Sequence, residues 1–201
     1  INEKKYAFKN DGRMVSGLNF IRDDKGSLDV YASDDNAYPF DNEDDFLNNA
    51  VNYYEGNGYK CYYFGDSEDG AMRTNKTTVN IDGENQNFYF EKSGGKKGAG
   101  VTGIKDKKLY QSGMLLKAGT DEKYQVVEQT DHTDGTVGDG TYTTYRKLAD
   151  VQDFLDTIGQ NNYIEVNLDS YAANTDMGTE FNISNLNKNA DDLNELYIMK
   201  T

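Results

Sequence analysis

Tyr62-Tyr63-Phe64-Gly65-Asp66-Ser67-Glu68-Asp69-Gly70-Ala71-Met72-Arg73-Thr74-Asn75 is the stretch on which the fold turns, because its order of residue types recurs. An aromatic-x-Phe segment leads through polar residues to a glycine, a spacer and a small hydroxyl residue. Tyr6-Ala7-Phe8-Lys9-Asn10-Asp11-Gly12-Arg13-Met14-Val15-Ser16-Gly17-Leu18 repeats that order. A looser copy runs Phe88-Tyr89-Phe90-Glu91-Lys92-Ser93-Gly94-Gly95-Lys96-Lys97-Gly98-Ala99-Gly100-Val101-Thr102-Gly103-Ile104, with Gly100 in the methionine position. A degenerate fourth is Lys108-Leu109-Tyr110-Gln111-Ser112-Gly113-Met114-Leu115-Leu116.

Each copy reads as a β-hairpin. An Asp-Gly pair between apolar residues supplies the positive φ angles of a tight primed turn, so the turns are expected at Asp11-Gly12, Asp69-Gly70 and Ser93-Gly94-Gly95. Alternation sets Tyr6 and Phe8 on one face of a strand. A lone hairpin cannot bury such a face, so each unit must stack on its neighbour, the logic of a solenoid. The expected fold is therefore mainly β, an elongated stack of β-hairpin repeats with short helical insertions. Residues 1–130 form the repeat region, with a helical insertion near 41–56, and residues 131–201 an atypical C-terminal extension or cap.

Composition agrees with a thin core. Only 36% of the 201 residues are hydrophobic, and 16 Tyr with no Trp make much of the burial depend on rings whose hydroxyls stay wet. Twenty Gly against the single Pro39 call for many tight turns. With 21 basic and 35 acidic residues the net charge is −14, which argues against nucleic acid as a partner. The local exception is Lys92, Lys96-Lys97 and Lys105-Asp106-Lys107-Lys108, read either as edge lysines that block strand pairing or as a contact for an anionic polymer such as teichoic acid. No run approaches the roughly 18 to 20 apolar residues that cross a bilayer, so membrane insertion is not expected. The chain opens at Ile1 without an apolar leader and is expected to be a mature or truncated form from which any export signal has gone.

The insertion between the first two copies, residues 22–58, contains Phe46, Leu47, Ala50, Val51 and Tyr54 at helical spacing. Asp41 is the expected N-cap, and Gly56 and Gly58 the stop. Such a short helix must dock its apolar stripe, and the flank of the hairpins is the place. Beyond the polar, Gly-rich segment 131–140, spacing suggests a helix over 148–158, a strand over 164–168 and a short helix over 191–197.

Catalytic chemistry has little to stand on. Cys61 is the only cysteine and His132 the only histidine, so neither a disulfide nor a cysteine metal cluster can form within the chain; Cys61 is expected to be a small buried hydrophobe. The loops at 66–70 and 131–139 lack calcium-ligand spacing, and no metal or cofactor is expected. A hydrolase in residues 141–201 would have to work without His or Cys. The aromatic residues are the remaining resource. Tyr62, Tyr63, Phe88, Tyr89 and Tyr110 could hold a quaternary ammonium or stack on sugar rings. The competing account is that Tyr6, Phe8, Tyr62, Phe64, Phe88, Phe90 and Tyr110 simply form the repeat core.

Tyr62-Tyr63-Phe64, Asp69-Gly70-Ala71-Met72 and Asp11-Gly12-Arg13-Met14-Val15-Ser16-Gly17 resemble the cell-wall-binding, or choline-binding, repeats of Gram-positive surface proteins, and glucan-binding repeats are similar. The resemblance covers residues 4–18 and 58–117, under half of the chain. It implies a left-handed hairpin stack and an extracellular, wall-associated, non-catalytic module that binds wall glycan or teichoic acid, or a structural spacer that presents another domain. Hairpin edges are the expected route of any self-association. The family pattern places Trp of the choline cage after the hydroxyl-Gly pair. Here Leu18, Lys76 and Ile104 stand instead, and the cationic Lys76 opposes a cationic ligand.

Overall fold

The computed structural model describes residues 4–24, 27–31, 40–50, 54–118, 124–148, 179–181 and 195–200. Among these residues the fold is mainly β, as expected, with three small antiparallel sheets and one helix. The first sheet joins β1 (Leu18–Asp24), β2 (Ser27–Tyr31) and β3 (Lys60–Tyr63) in the order β2-β1-β3, and α1 (Glu43–Asn49) lies between β2 and β3 in sequence. The second comprises β4 (Asn75–Ile81), β5 (Glu84–Phe90), β6 (Gly103–Lys105), β7 (Lys108–Gln111) and β8 (Met114–Leu115), in the order β4-β5-β8-β7-β6. The third, ordered β10-β9-β12-β11, uses β9 (Tyr124–His132), β10 (Tyr142–Lys147), β11 (Thr179–Phe181) and β12 (Glu195–Lys200).

The first three sequence copies adopt one hydrogen-bond register. The Val15 N–H donates to Ala7 O at 2.9 Å, Arg73 N–H to Tyr63 O at 2.7 Å, and Val101 N–H to Tyr89 O at 3.1 Å. Each pair joins the residue after the methionine position to the middle of the aromatic segment. The link from one hairpin to the next also repeats. Met72 N–H donates to Lys5 O at 2.8 Å, and Gly100 N–H, one copy further on, to Cys61 O at 2.7 Å. Likewise the outgoing strand of one copy pairs with the incoming strand of the next, Leu18 opposite Tyr63 and then Lys76 opposite Tyr89.

Two left-handed positions, equivalent in the three copies, make this register reachable. The glycine before the methionine position has φ of 85° at Gly12, 57° at Gly70 and 89° at Gly98. Five residues later Gly17, Asn75 and Gly103 have φ of 72°, 73° and 109°, and only Gly, or Asn at some cost, adopts such angles readily. Gly70 and Gly98 carry a further restriction, because a Cβ there would run into the side chains of Met14 and Met72 respectively. Each methionine therefore covers the glycine of the following copy.

The turns differ from expectation. At Asp11-Gly12 and Asp69-Gly70 only the glycine is left-handed, and the loops are longer than two residues. Lys9 N–H donates to Arg13 O at 2.8 Å across residues 10–12, and Gly70 N–H to Asp66 O at 3.1 Å. Aspartates brace the loops as acceptors instead: Asp11 of the first pair for Arg13 N–H at 3.0 Å, and Asp66, ahead of the second pair, for Asp69 N–H at 2.9 Å. Two-residue primed turns, with both φ positive, occur at Asp82-Gly83, Asp106-Lys107 and Ser112-Gly113. The last of these sits inside the degenerate fourth copy, which is the β7–β8 hairpin.

Helix α1 forms where the apolar spacing places it, but its cap is Asn42, not Asp41. Asn42 Oδ1 accepts from Asp45 N–H at 2.8 Å, while Asp41 N–H donates back to the Asp45 carboxylate at 3.1 Å. The cap lies three residues before Asp45, the spacing that lets both bonds form. Phe46, Leu47 and Ala50 are buried, with Phe46 edge-on to Phe88 at 5.4 Å, so the insertion does dock on the hairpins. Phe20 stacks on Tyr54 at 3.9 Å beneath it. One core then continues through Leu18, Cys61, Val79, Ile81, Phe90, Leu109, Met114 and Leu116 to Val127 and Tyr145.

Two further expectations change. Phe8 is 56% exposed, and Ala7 and Val15 are the buried residues of the first hairpin, packed with Ile21 and Phe64. The register puts the middle residue of Tyr6-Ala7-Phe8 inward. Residues 195–197, expected in a helix, belong to strand β12, because the Leu196-Tyr197-Ile198-Met199 run pairs antiparallel with β9 along its length. The expected helix over 148–158 and strand over 164–168 lie outside the described residues, apart from Leu148, which is buried.

Gly70→Ala should destabilise by about 1–3 kcal/mol more than an ordinary surface Gly→Ala, through a strained left-handed alanine and displaced Met14. Gly12→Ala shares the positive φ but has open space around its Cβ position, so its cost should be the smaller of the two. Urea midpoints of Gly70→Ala in the wild-type and Met14→Ala backgrounds check the packing part: a double-mutant cycle with no coupling would contradict it.

Candidate functional site

The five candidate aromatic residues do not share one cage. Along β5 the pleat turns Phe88 and Phe90 inward and Tyr89 outward. Phe88 is 1% exposed, wedged between Phe46 and Phe90, whose ring centroid is 5.6 Å away. Tyr63 is half-buried and stacks on Phe90 at 6.4 Å. Tyr62 packs beside Phe64 in the small cluster of Ala7, Val15 and Ile21. On the other face of the five-stranded sheet Tyr89 meets Tyr110 edge-on at 5.8 Å, with Val101 and Leu115 beside them. Burial pushes the Tyr110 hydroxyl pKa upward, and the charge of Asp106 adds to the shift.

That last pair is where charge gathers. Lys92 Nζ lies 5.8 Å and Lys105 Nζ 5.6 Å from the Tyr89 ring centroid, so the ring already faces two ammonium groups of the protein itself. Lys105 is also 3.3 Å from the Glu91 carboxylate. Lys76 sits directly across the β4–β5 pair from Tyr89, on the same face, and is exposed.

A second constellation is internal, and its anchor, Glu55, has no local signature in the sequence. Glu55 is 4% exposed, in the insertion just beyond helix α1. Its Oε1 accepts from Ser112 Oγ and from Thr102 Oγ1, both at 2.7 Å, and its Oε2 receives Lys60 Nζ at 2.6 Å. Ser112 Oγ in turn accepts from Gln111 Nε2 at 3.0 Å, and Gln111 Oε1 from Tyr145 N–H at 2.7 Å. One carboxylate thus ties the insertion to β3, to the third copy, to the β7–β8 turn and onward to β10. Thr102 occupies the small-hydroxyl position of the repeat pattern, the one hint the sequence offers. With both oxygens engaged, Glu55 serves as a clamp rather than a free base.

Cys61 lies in the main core. Burial pushes its thiol pKa well up, and the negative charge of Glu55 pushes the same way, so it stays a protonated small hydrophobe. His132 stacks flat on Tyr142 at 4.3 Å and its Nε2 lies 2.8 Å from Thr144 Oγ1, at the rim of the third sheet. The neighbouring loop closes through Gly135 N–H to Gly140 O at 2.8 Å and holds the insertion through Thr136 N–H to Gly56 O at 2.8 Å. Lys147 pairs with Glu43 at the start of α1. Among the described residues no three His, Cys, Asp or Glu side chains converge as a metal site requires. The chain was compared with family models, with curated proteins and with solved structures, and matches none of them.

Glu55→Ala should destabilise by about 1–3 kcal/mol for each hydroxyl donor left without its acceptor, whereas Glu55→Gln, which keeps an acceptor oxygen, should cost less. Equal losses in the two variants by chemical denaturation would contradict the clamp. A pH dependence follows from Cys61. The unfolded thiol ionises from about pH 8.5 while the folded thiol resists, so this contribution to stability is complete below that pH and is lost above it. Tyr110 and Tyr142, both raised by burial, act in the same direction at higher pH. Stability should fall on going from about pH 8 to about pH 10, and Cys61→Ala should flatten the early part of the fall.

Proposed function

We propose that the chain is a non-catalytic, extracellular module that attaches to bacterial wall polysaccharide or teichoic acid through an elongated stack of β-hairpin repeats. The observation that carries this reading is the single register shared by three hairpins, with the outgoing strand of each copy paired to the incoming strand of the next. The residues at those positions are also the ones that resemble cell-wall-binding repeats. The same geometry lowers the case for choline as ligand, since two ammonium groups already face Tyr89 and the inner rings are packed away.

A structural spacer is the second reading, and one observation favours it. Phe88, Tyr89 and Tyr110 are 1%, 2% and 3% exposed, so these rings serve packing before they serve any ligand.

Sedimentation of the purified protein with isolated Gram-positive walls separates the two readings. The binding-module reading expects retention that free choline does not displace. No retention on untreated walls would overturn it in favour of the spacer, and displacement by choline would restore the aromatic cage.

A further inference from the structure

We infer that the face carrying Tyr89 is a subsite for a polymeric anion, a flexible phosphodiester chain, held by the lysines of the turns at 92–97 and 105–108 together with Lys76. This rests on the wall-binding reading and names the chemistry of its ligand. Residues 91–108 contain six lysines against two acidic residues, inside a chain whose net charge is −14. The fold brings one lysine from each turn together, because Lys92 and Lys105 come from different turns yet lie over the same ring. Lys76 joins them from β4, across the strand pair. Glu91 offsets part of this charge through its pair with Lys105, and Asp106 offsets more within the second turn. The remaining positive field has no comparable acidic partner in the same segment.

The shape of the patch selects the ligand. Its cations are spread over two turns and the neighbouring strand β4, most of them exposed, so a single small anion would meet only screened, weak contacts. A polymer that repeats its charge can engage several lysines at once and gains through local concentration. Lysine offers compact point charges suited to phosphate oxygens, and the segment has no arginine to form planar forks with carboxylates. Single-stranded nucleic acid would add its binding energy by stacking on open rings, but Tyr89 and Tyr110 are buried. A cationic ligand meets like charge here and is excluded.

The test uses labelled synthetic poly(glycerol phosphate) as probe, followed by fluorescence anisotropy on the whole chain, with polygalacturonate and single-stranded DNA as comparison polymers. Expected is saturable binding of poly(glycerol phosphate) that weakens roughly tenfold between about 50 and about 200 mM salt, as a few lysine–phosphate contacts would give. Two variants, Lys92→Gln/Lys105→Gln and Lys107→Gln/Lys108→Gln, each checked for an unchanged circular dichroism spectrum, should weaken it several-fold, while Lys9→Gln on the first hairpin should not. Absence of binding, binding indifferent to both variants, or tighter binding of either comparison polymer would overturn the inference. Wall sedimentation of the same proteins keeps the two readings apart. Retention on walls with no affinity for the probe sinks the phosphodiester subsite alone, and probe affinity without wall retention sinks the wall-binding reading alone.

Discussion

The constraint on which the hairpin region depends is a backbone one: at two equivalent points in each of the first three copies the chain must pass through a left-handed conformation. Those two points, five residues apart, reverse the strand and then release it toward the next copy. L-residues with a Cβ resist such angles, which is why glycine stands at five of the six positions and asparagine at the other. Packing then reuses the same glycines. With no side chain at Gly70 or Gly98, the methionine of the preceding copy lies against bare backbone, and the flexible thioether fills the space. A conformational requirement and a packing requirement thus fall on one residue, and a substitution there violates both.

Where repetition stops, a buried carboxylate takes over. The degenerate fourth copy lacks the register of the other three and closes through Ser112-Gly113 instead. That turn is anchored from outside, by Glu55 of the insertion. Burying Glu55 would be costly if its oxygens were unmet, but two hydroxyls and an ammonium satisfy them. The insertion therefore belongs to the architecture: its helix fills the core against Phe88, and its end supplies the acceptor that organises the third and fourth copies. Tyr54 and Glu55, adjacent in sequence, serve the apolar and polar halves of one junction.

What the sequence made legible follows the range of the forces involved. The copies could be read because their glycines answer to local backbone geometry, and the helix because its apolar spacing is local too. The cap was misplaced by one residue, since Asp41 and Asn42 are equally good capping types and only the reach to Asp45 separates them. The Asp-Gly pairs misled because an aspartate can brace a loop from outside the left-handed region as readily as it can occupy that region. Inward and outward faces of Tyr6-Ala7-Phe8 depend on which neighbour the strand meets, and β12 depends on pairing with a segment some seventy residues away. Of the site, the aromatic positions were legible but their partners were not. Neither the ammonium groups over Tyr89 nor the hydroxyls on Glu55 are neighbours in sequence, and both arise only when separate turns are brought together.

The most direct test of the account is hydrogen exchange at the amides of Met72 and Gly100, residue by residue by NMR. These two groups bond the carbonyls of Lys5 and Cys61 at equivalent positions between successive hairpins. The account predicts that both amides are protected well beyond those of the loop tips at Gly94 and Gly95. Exchange of Met72 and Gly100 as fast as the loop tips would mean that the hairpins do not pair as one repeating register, and would contradict it.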